Sequence, residues 1–329
     1  MVRESNQPDI DLELRTATLD DAEIVADLEA ARDPEDPRDP VVLRFWWVTR
    51  PSDEAHMQLV AERDGSAVAF IAAGHDPWEG TARRFGWIRP VLHPRIWSES
   101  GYDGLIDAGE SWLRQEQATT SVGRVREDFV DQLRVFKGRG YREVRRAKVW
   151  ELDLVAGRER LMAGAERSRE AMERQGVRLM TLDQYDDPDR LAKLYALTVA
   201  AEGDIPTTVP MRTPPIDEWH RFWFENPGVR EERFWVAREG DALVGLSVIG
   251  YPPTRGLPWT FFTGTSHSVR GRGVARALKY ETLAQAVDLG AQRVRTQNDG
   301  ENAPILHLNT EMGYRPVEPL IELHLELNP

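Results

Sequence analysis

The chain has 329 residues, enough for two ordinary domains, with 41% apolar residues and 11 Trp. Acids outnumber bases 55 to 42, a net charge of −13 that argues against nucleic-acid partners, whose phosphates need clustered Lys and Arg. The absence of Cys removes disulfides, thiolate metal sites and cysteine nucleophiles, and with no long apolar run and a polar start, Met1–Asp11, a soluble cytoplasmic protein without membrane partners is expected.

In chain order, a short strand is predicted over Leu12 to Ala17. A helix follows, with Asp20 placed to cap it and Glu23 to complete a capping box. After a loop and short helix rich in Pro and Trp, Gln58 to Glu62 and Ala67 to Ala73 form a hairpin about Asp64-Gly65. Arg139 to Lys148 is basic, but Glu143 interrupts it and a solvated strand face accounts for it. Arg158 to Arg174 carries a partial apolar stripe of Leu161, Ala165 and Ala171, and is predicted as a helical connection ending at Gly176.

The same order then starts again. Val177 to Leu182 is a strand, and Asp187-Pro188 suits the start of a helix. Arg233 to Arg238 and Leu243 to Gly250 form a hairpin about Gly240-Asp241. Thr260 to Thr265 is a third strand, Gly273 to Leu289 a helix closed by Gly290, and Arg293 to Gln297 a strand. Ala303 to Met312 is a helix, and the last strand runs from about Glu318 to Leu327.

Three short matches support two copies of one domain. Thr18-Leu19-Asp20 recurs as Thr181-Leu182-Asp183, Val60 to Gly65 resembles Val236 to Asp241, and Gly140 to Val144 resembles Gly313 to Val317, at offsets of 163, 176 and 173. The predicted organisation is residues 1–155, a helical linker at 156–176, and 177–329.

One stretch carries chemistry: Ser268-Val269-Arg270-Gly271-Arg272-Gly273-Val274-Ala275-Arg276-Ala277-Leu278. It follows an apolar strand and opens a helix. Two glycines permit a tight turn, the helix start offers unsatisfied N–H groups to an anion, and Arg270 and Arg272 add cationic donors. A strand-to-helix turn with solvated arginines is the plainer alternative. The glycine spacing is neither that of a P-loop nor that of a dinucleotide fingerprint.

Arg270 to Ala275 resembles the pyrophosphate loop Arg/Gln-x-x-Gly-x-Gly/Ala of the GNAT acetyltransferases. Thr296 and Asn298, then Asn302-Ala303-Pro304-Ile305, Asn309 and Gly313-Tyr314 resemble that family's stretch from its fifth strand into the next helix. The resemblance covers about Val177 to Leu327, with the first half as a weaker copy, a layout similar to tandem GNAT proteins such as mycothiol synthase. It implies an α/β (α+β) fold of two tandem domains, each a mixed, mostly antiparallel sheet flanked by helices.

The resemblance also implies acetyl-CoA as cosubstrate and a small-molecule primary amine as acceptor, joined by direct transfer without a covalent enzyme intermediate. The pyrophosphate would rest on Arg270, Gly271, Arg272, Gly273, Val274 and Ala275. Pantetheine would lie along Thr263, Gly264 and Thr265, where a bulge would free an N–H to polarise the acetyl carbonyl. Asn298, Asn302 and Asn309 would serve the coenzyme side, though Asn302 also reads as an ordinary N-cap. Many family members place a tyrosine acid where this chain has Asn309, and Asn cannot act as an acid at neutral pH. The acid is therefore open, and packing suits Tyr314.

Glu202 and Asp204, which follow the first helix of the second copy, and His267 beside the acetyl-binding strand are the candidate bases. The same substrate loop offers Asp217, Glu218 and His220. Trp219, Phe222, Trp223 and Phe224 can wall an acceptor pocket or fill the core. No metal site is expected, and the chain is expected to be a monomer or homodimer. In the first copy, Trp97 to Tyr102 stand where Arg270 to Ala275 stand in the second. Both arginines are lost and Glu99 would oppose a pyrophosphate, so that copy is expected to keep the fold without binding coenzyme A. A non-catalytic acyl-CoA sensor or scaffold, a longer acyl group, and a hydroxyl acceptor are the alternatives.

Overall fold

The computed structural model describes residues 12–78 and 83–327, so the polar start Met1–Asp11 lies outside the described residues. The chain forms two compact units.

The first unit runs through β1 (Arg15–Thr16), α1 (Ala22–Arg32), α2 (Pro40–Val48), β2 (Ala55–Arg63), β3 (Ser66–His75), β4 (Phe85–Leu92), α3 (Glu99–Gln115), β5 (Thr120–Arg126) and α4 (Val130–Gly138). Its strands pair in chain order, antiparallel except for the parallel β4–β5 contact. Alternation along β3 sends Ala69, Ile71 and Ala73 to a layer with Leu105 and Ile106 of α3 and Phe136 of α4. Phe70 and Ala72 go to the opposite layer, with Val25 and Leu28 of α1 and Leu43 of α2. The capping role expected of Asp20 belongs to its neighbour. Asp21 accepts from the Thr18 N–H at 2.6 Å, while the Asp20 side chain is fully exposed.

The second unit contains β6 (Arg142–Asp153) from Ala147 onward, α5 (Leu154–Arg174), β7 (Val177–Thr181), α6 (Arg190–Glu202), α7 (Ile216–Phe224), β8 (Phe234–Glu239), β9 (Ala242–Gly250), β10 (Trp259–Thr265), α8 (Val274–Asp288), β11 (Arg293–Asp299) and α9 (Ala303–Met312). Its sheet order is β6-β11-β10-β9-β8-β7. One face packs on α6 and α7 through Leu194, Leu197, Trp219 and Trp223. The other packs on α5 and α8 through Leu161, Ala165, Leu283 and Leu278.

The boundaries differ from the sequence reading in two ways. The expected linker 156–176 is α5, whose Leu161 and Ala165 are buried against α8 as part of the second core. The final strands are also exchanged. Glu318 to Glu326 of β12 (Arg315–Glu326) belong to the first unit, where they pair antiparallel with β5. Residues 147–153 of β6 pair antiparallel with β11 in the second. Each sheet thus takes its closing strand from the other half of the sequence.

Candidate active site

The Gly-rich stretch forms a 3-10 turn at His267–Val269, a bend through Gly271 and Gly273, and then α8. Both glycines have left-handed φ, +74° and +87°, which side chains adopt only under strain. Among the described residues, the N–H groups of Gly271, Gly273, Val274, Ala275 and Arg276 find no backbone acceptor. The N-cap is a glycine with no side chain to satisfy them. An open row of donors at a helix start is the arrangement that takes a phosphate.

The two arginines beside this row are engaged by carboxylates. Arg270 donates to Asp204, and Arg272 donates to Glu239 at 2.7 Å and to Gln175 at 3.2 Å. Hydrogen bonding from Arg270, with His267 Nε2 at 3.5 Å, holds the Asp204 carboxyl below the usual carboxylate range. Both ion pairs lie at or near the surface, where such pairings are weak.

The neighbouring strands splay apart and leave a cleft. β10 and β11 are parallel, yet they share a single rung, Trp259 with Arg295, before they diverge. From Thr260 to Thr265, β10 has no ladder partner on the β11 side among the described residues, while its other edge stays paired to β9. The bulge lies between Thr260 and Phe262, earlier than the Thr263–Thr265 position expected from sequence. Thr263 Oγ1 sits 2.8 Å from the buried Ser247 hydroxyl, so its side chain serves the β9 contact. A Cβ at Gly264 would lie 2.8 Å from the Ala201 Cβ, so this glycine allows α6 to press directly on β10. What Thr263, Gly264 and Thr265 can offer a ligand is therefore main chain.

Glu202 is the residue after Ala201, at the end of α6. It is half-buried, and no hydrogen bond or ion pair satisfies it among the described residues. Burial raises its carboxyl above the ordinary value. Asp204 and Glu202 are thus separated by environment, one tied to an arginine and the other desolvated and unpaired. His267 is exposed beside Asp204. Glu218 binds Arg212 at 2.8 Å. Trp219 and Trp223 are buried core side chains, whereas Phe222 is exposed and His220 stacks on Phe224 at 5.1 Å.

The three asparagines divide. Asn302 is the N-cap residue of α9, but its side chain caps nothing and is half-buried. Asn309 is fully buried and donates to Asn298 Oδ1 at 2.7 Å. Its expected contact with coenzyme is corrected to a supporting one, because a side chain with no exposure orients Asn298 instead.

Sequence reading missed Lys279. It lies on α8 at 1% exposure with its Nζ 5.1 Å from the centroid of the buried Tyr314 ring. Its position carried no clear signal, because the same helix also holds Arg276, Glu281, Gln285 and Asp288, and a lysine among them reads as one more solvated side chain.

The first unit differs at each of these points. β4 and β5 stay paired from Phe85 to Ile88. α3 begins at Glu99 behind the N-cap Ser98, whose hydroxyl takes the Gly101 N–H at 3.1 Å, and Tyr102 is buried. Past the last β4–β5 rung, Arg32 and Arg126 stack on one ring, Phe129, and Arg126 is held by Asp33 and Asp128.

Among the described residues, no helix is long and apolar enough to cross a membrane, and no cluster of His, Asp and Glu is built to hold a metal. Residues 200–314 match the family model described as Acetyltransferase (GNAT) family. No curated protein matches the chain in sequence. Among solved structures, a GCN5-related N-acetyltransferase from Sphaerobacter thermophilus is 22% identical with a TM-score of 0.64, covering 97% of this chain and 96% of that one. A tandem GNAT protein from the clavulanic acid biosynthesis pathway is 14% identical with a TM-score of 0.71, covering 97% and 99%. The Saccharomyces cerevisiae N-myristoyltransferase with bound myristoyl-CoA is 11% identical with a TM-score of 0.60, covering 100% and 82%. Residues 200–314, with their open loop and splayed strands, therefore match the GNAT acetyltransferase family, and the chain as a whole has the fold of tandem GNAT proteins.

Proposed function

We propose that the second unit transfers an acetyl group from acetyl-CoA directly to the primary amine of a small molecule, in a chain that works in the cytoplasm as a monomer or homodimer. The N–H groups of Gly271 and Gly273 to Arg276 hold the pyrophosphate, with Arg270 and Arg272 alongside, and the free edge of Thr263 to Thr265 pairs with the pantetheine amides. Asn298 and Asn302 contact the coenzyme arm. The observation that carries an amine acceptor is Glu202: an unpaired, half-buried carboxylate next to the α6 residue that touches β10. Such a group attracts an ammonium and, with its affinity for protons raised by burial, removes the proton before the nitrogen attacks. Asp204, tied to Arg270, is the weaker base, and His267 acts through it.

The first unit is proposed to bind no coenzyme A. Its helix start is capped by Ser98, and Arg32, Arg126 and Phe129 pack against one another past the strand pairing. Calorimetric titration of acetyl-CoA counts the sites, and thiol release with a panel of small amines tests transfer. One site per chain and amine-dependent thiol release are expected. Binding without release from any acceptor would leave an acyl-CoA sensor, and no binding would remove the proposal.

A further inference from the structure

The first unit gathers arginines where its own strands part. The last β4–β5 rung joins Ile88 to Gly123, and the next β4 residue is Arg89. Arg89 stands opposite Ala72 of β3, so its side chain goes to the face covered by α1 and α2. There Glu29 of α1, at 3% exposure, places Oε1 2.7 Å from Arg89 Nη1 and accepts from Arg38 Nε on Oε2 at 3.0 Å. Arg32 lies one turn along the same helix, 5.5 Å from the Phe129 ring centroid, and Arg38 lies 5.1 Å from that of Trp46. Burial, and then repulsion from Arg38, Arg32 and Arg50, hold the Arg89 guanidinium below its ordinary value in spite of Glu29.

The other acids of this corner are already engaged. Asp33 and Asp128 hold Arg126, Asp27 holds Arg255 at 2.6 Å, and Glu54 is 3.7 Å from Arg50. Asp39 takes the N–H groups of Thr254 and Arg255 at 2.7 and 3.1 Å, and Arg255 Nε donates to the Arg38 carbonyl at 2.7 Å, which fixes the chain that carries Arg38. Thr254–Gly256 belong to this unit.

A second observation concerns donors. Arg32 Nε, Arg50 Nη1 and the Trp46 indole N–H are buried without an acceptor among the described residues, and so is Arg255 Nη2 against the Arg38 main chain. No guanidinium elsewhere among the described residues has a nitrogen in that state. A buried donor left unpaired loses its hydration for nothing, so such groups are rare in a finished core. What these groups lack is an acceptor, and the arginines around them favour one that carries negative charge.

We propose that this corner is a binding site for a small dianion, a dicarboxylate or a phosphate monoester, held by Arg32, Arg38 and Arg89. Glu29 balances one of those three guanidinium charges and leaves two, so a dianion fits better than chloride. Planar guanidinium forks suit the paired oxygens of either group. The site stands in the other unit from the coenzyme loop and does not depend on acetyl transfer.

Thermal unfolding and calorimetry with inorganic phosphate and with succinate test it, at mildly alkaline pH where both are dianions, against chloride at equal ionic strength. At least one dianion should bind and raise the unfolding temperature beyond chloride; the one that does so identifies the class. Arg32→Gln should weaken that binding by on the order of tenfold and leave acetyl-CoA binding unchanged. Glu29→Gln removes a competing carboxylate, so the dianion should bind on the order of tenfold tighter; should that variant fold poorly, Arg32→Gln alone decides. No response beyond chloride overturns the proposal, as does binding that Arg32→Gln leaves intact. Binding lost only in the Arg270→Glu, Arg272→Glu double variant would put the anion on the loop of the second unit and overturn it too.

Discussion

Lys279→Met should make the protein more stable, by an amount that depends on pH. Lysine ordinarily holds its proton to 10.5, and burial lowers that to about 7 here. The difference corresponds to a penalty of about 5 kcal/mol for keeping the side chain in the core below pH ~7, where both folded and unfolded chains carry the proton. Between 7 and 10.5 the unfolded chain binds more protons than the folded one, so wild-type stability rises with pH through that window. Methionine has similar length and no charge, so it removes the penalty and keeps most of the packing. Its loss of the contact with the Tyr314 ring offsets about 1 kcal/mol where the lysine is charged. Urea unfolding at pH 6, 7.5 and 9, followed by circular dichroism, should show a gain of roughly 4 kcal/mol at pH 6 that falls to about 2 kcal/mol at pH 9. A variant less stable than wild type at every pH, or a difference that does not change with pH, would mean that Lys279 has a structural partner and is not an isolated amine.

Glu202→Gln should lower kcat by on the order of 10²-fold, whereas Asp204→Asn should keep most of kcat and tighten acetyl-CoA binding a few-fold, because Arg270 no longer has a competing carboxylate; a larger loss in Asp204→Asn would transfer the base role to Asp204. Because burial raises the Glu202 carboxyl, the acid limb of the kcat/KM profile should fall at higher pH than an ordinary glutamate gives, and a pH–rate series should show that limb missing in Glu202→Gln. Arg270→Glu combined with Arg272→Glu should abolish calorimetric binding of acetyl-CoA; retained binding would show that the N–H row alone suffices. Gly273→Ala has room for its methyl, with the nearest atom at 3.9 Å, but forces left-handed backbone, so thermal unfolding should register a loss of about 1–2 kcal/mol together with weaker coenzyme binding.

Much of this architecture is legible in sequence because it is local. The loop from Arg270 to Ala275 encodes its bend through two glycines and its helix through the residues that follow, all within one turn of chain. The hairpins are likewise set by alternation and a tight turn. Long-range choices leave no such trace. Alternation along Glu318 to Leu327 marks a strand, but nothing in it says that the partner is β5, roughly two hundred residues away. Asp204 and Glu202 look equivalent on paper; Arg270, 66 residues on, separates them. That Gly264 is needed for the close approach of α6, and can offer a ligand only its main chain, shows once Ala201 is seen beside it. Asn309 is hidden by the same kind of fact, since burial against Asn298 cannot be inferred from its spacing.

The two halves of the chain show which residues a duplicated fold must keep. Ile71, Leu105 and Phe136 in one unit, and Leu246, Leu278 and Leu283 in the other, are fixed by close packing, where a change of even one methylene is felt. The loop N–H groups, the strand edge and Glu202 do no such packing, so the fold tolerates their loss. In the first unit that loss is chemically consistent. A serine hydroxyl satisfies the helix start, Tyr102 is buried in the helix that follows, and an arginine pair on Phe129 stands past the strand pairing. Each change improves local hydrogen bonding or packing while removing a contact that only a ligand would use. The proposed function thus assigns coenzyme A to the unit whose open N–H row and Glu202 carboxylate are left unsatisfied, and expects none in the unit whose helix start is already capped.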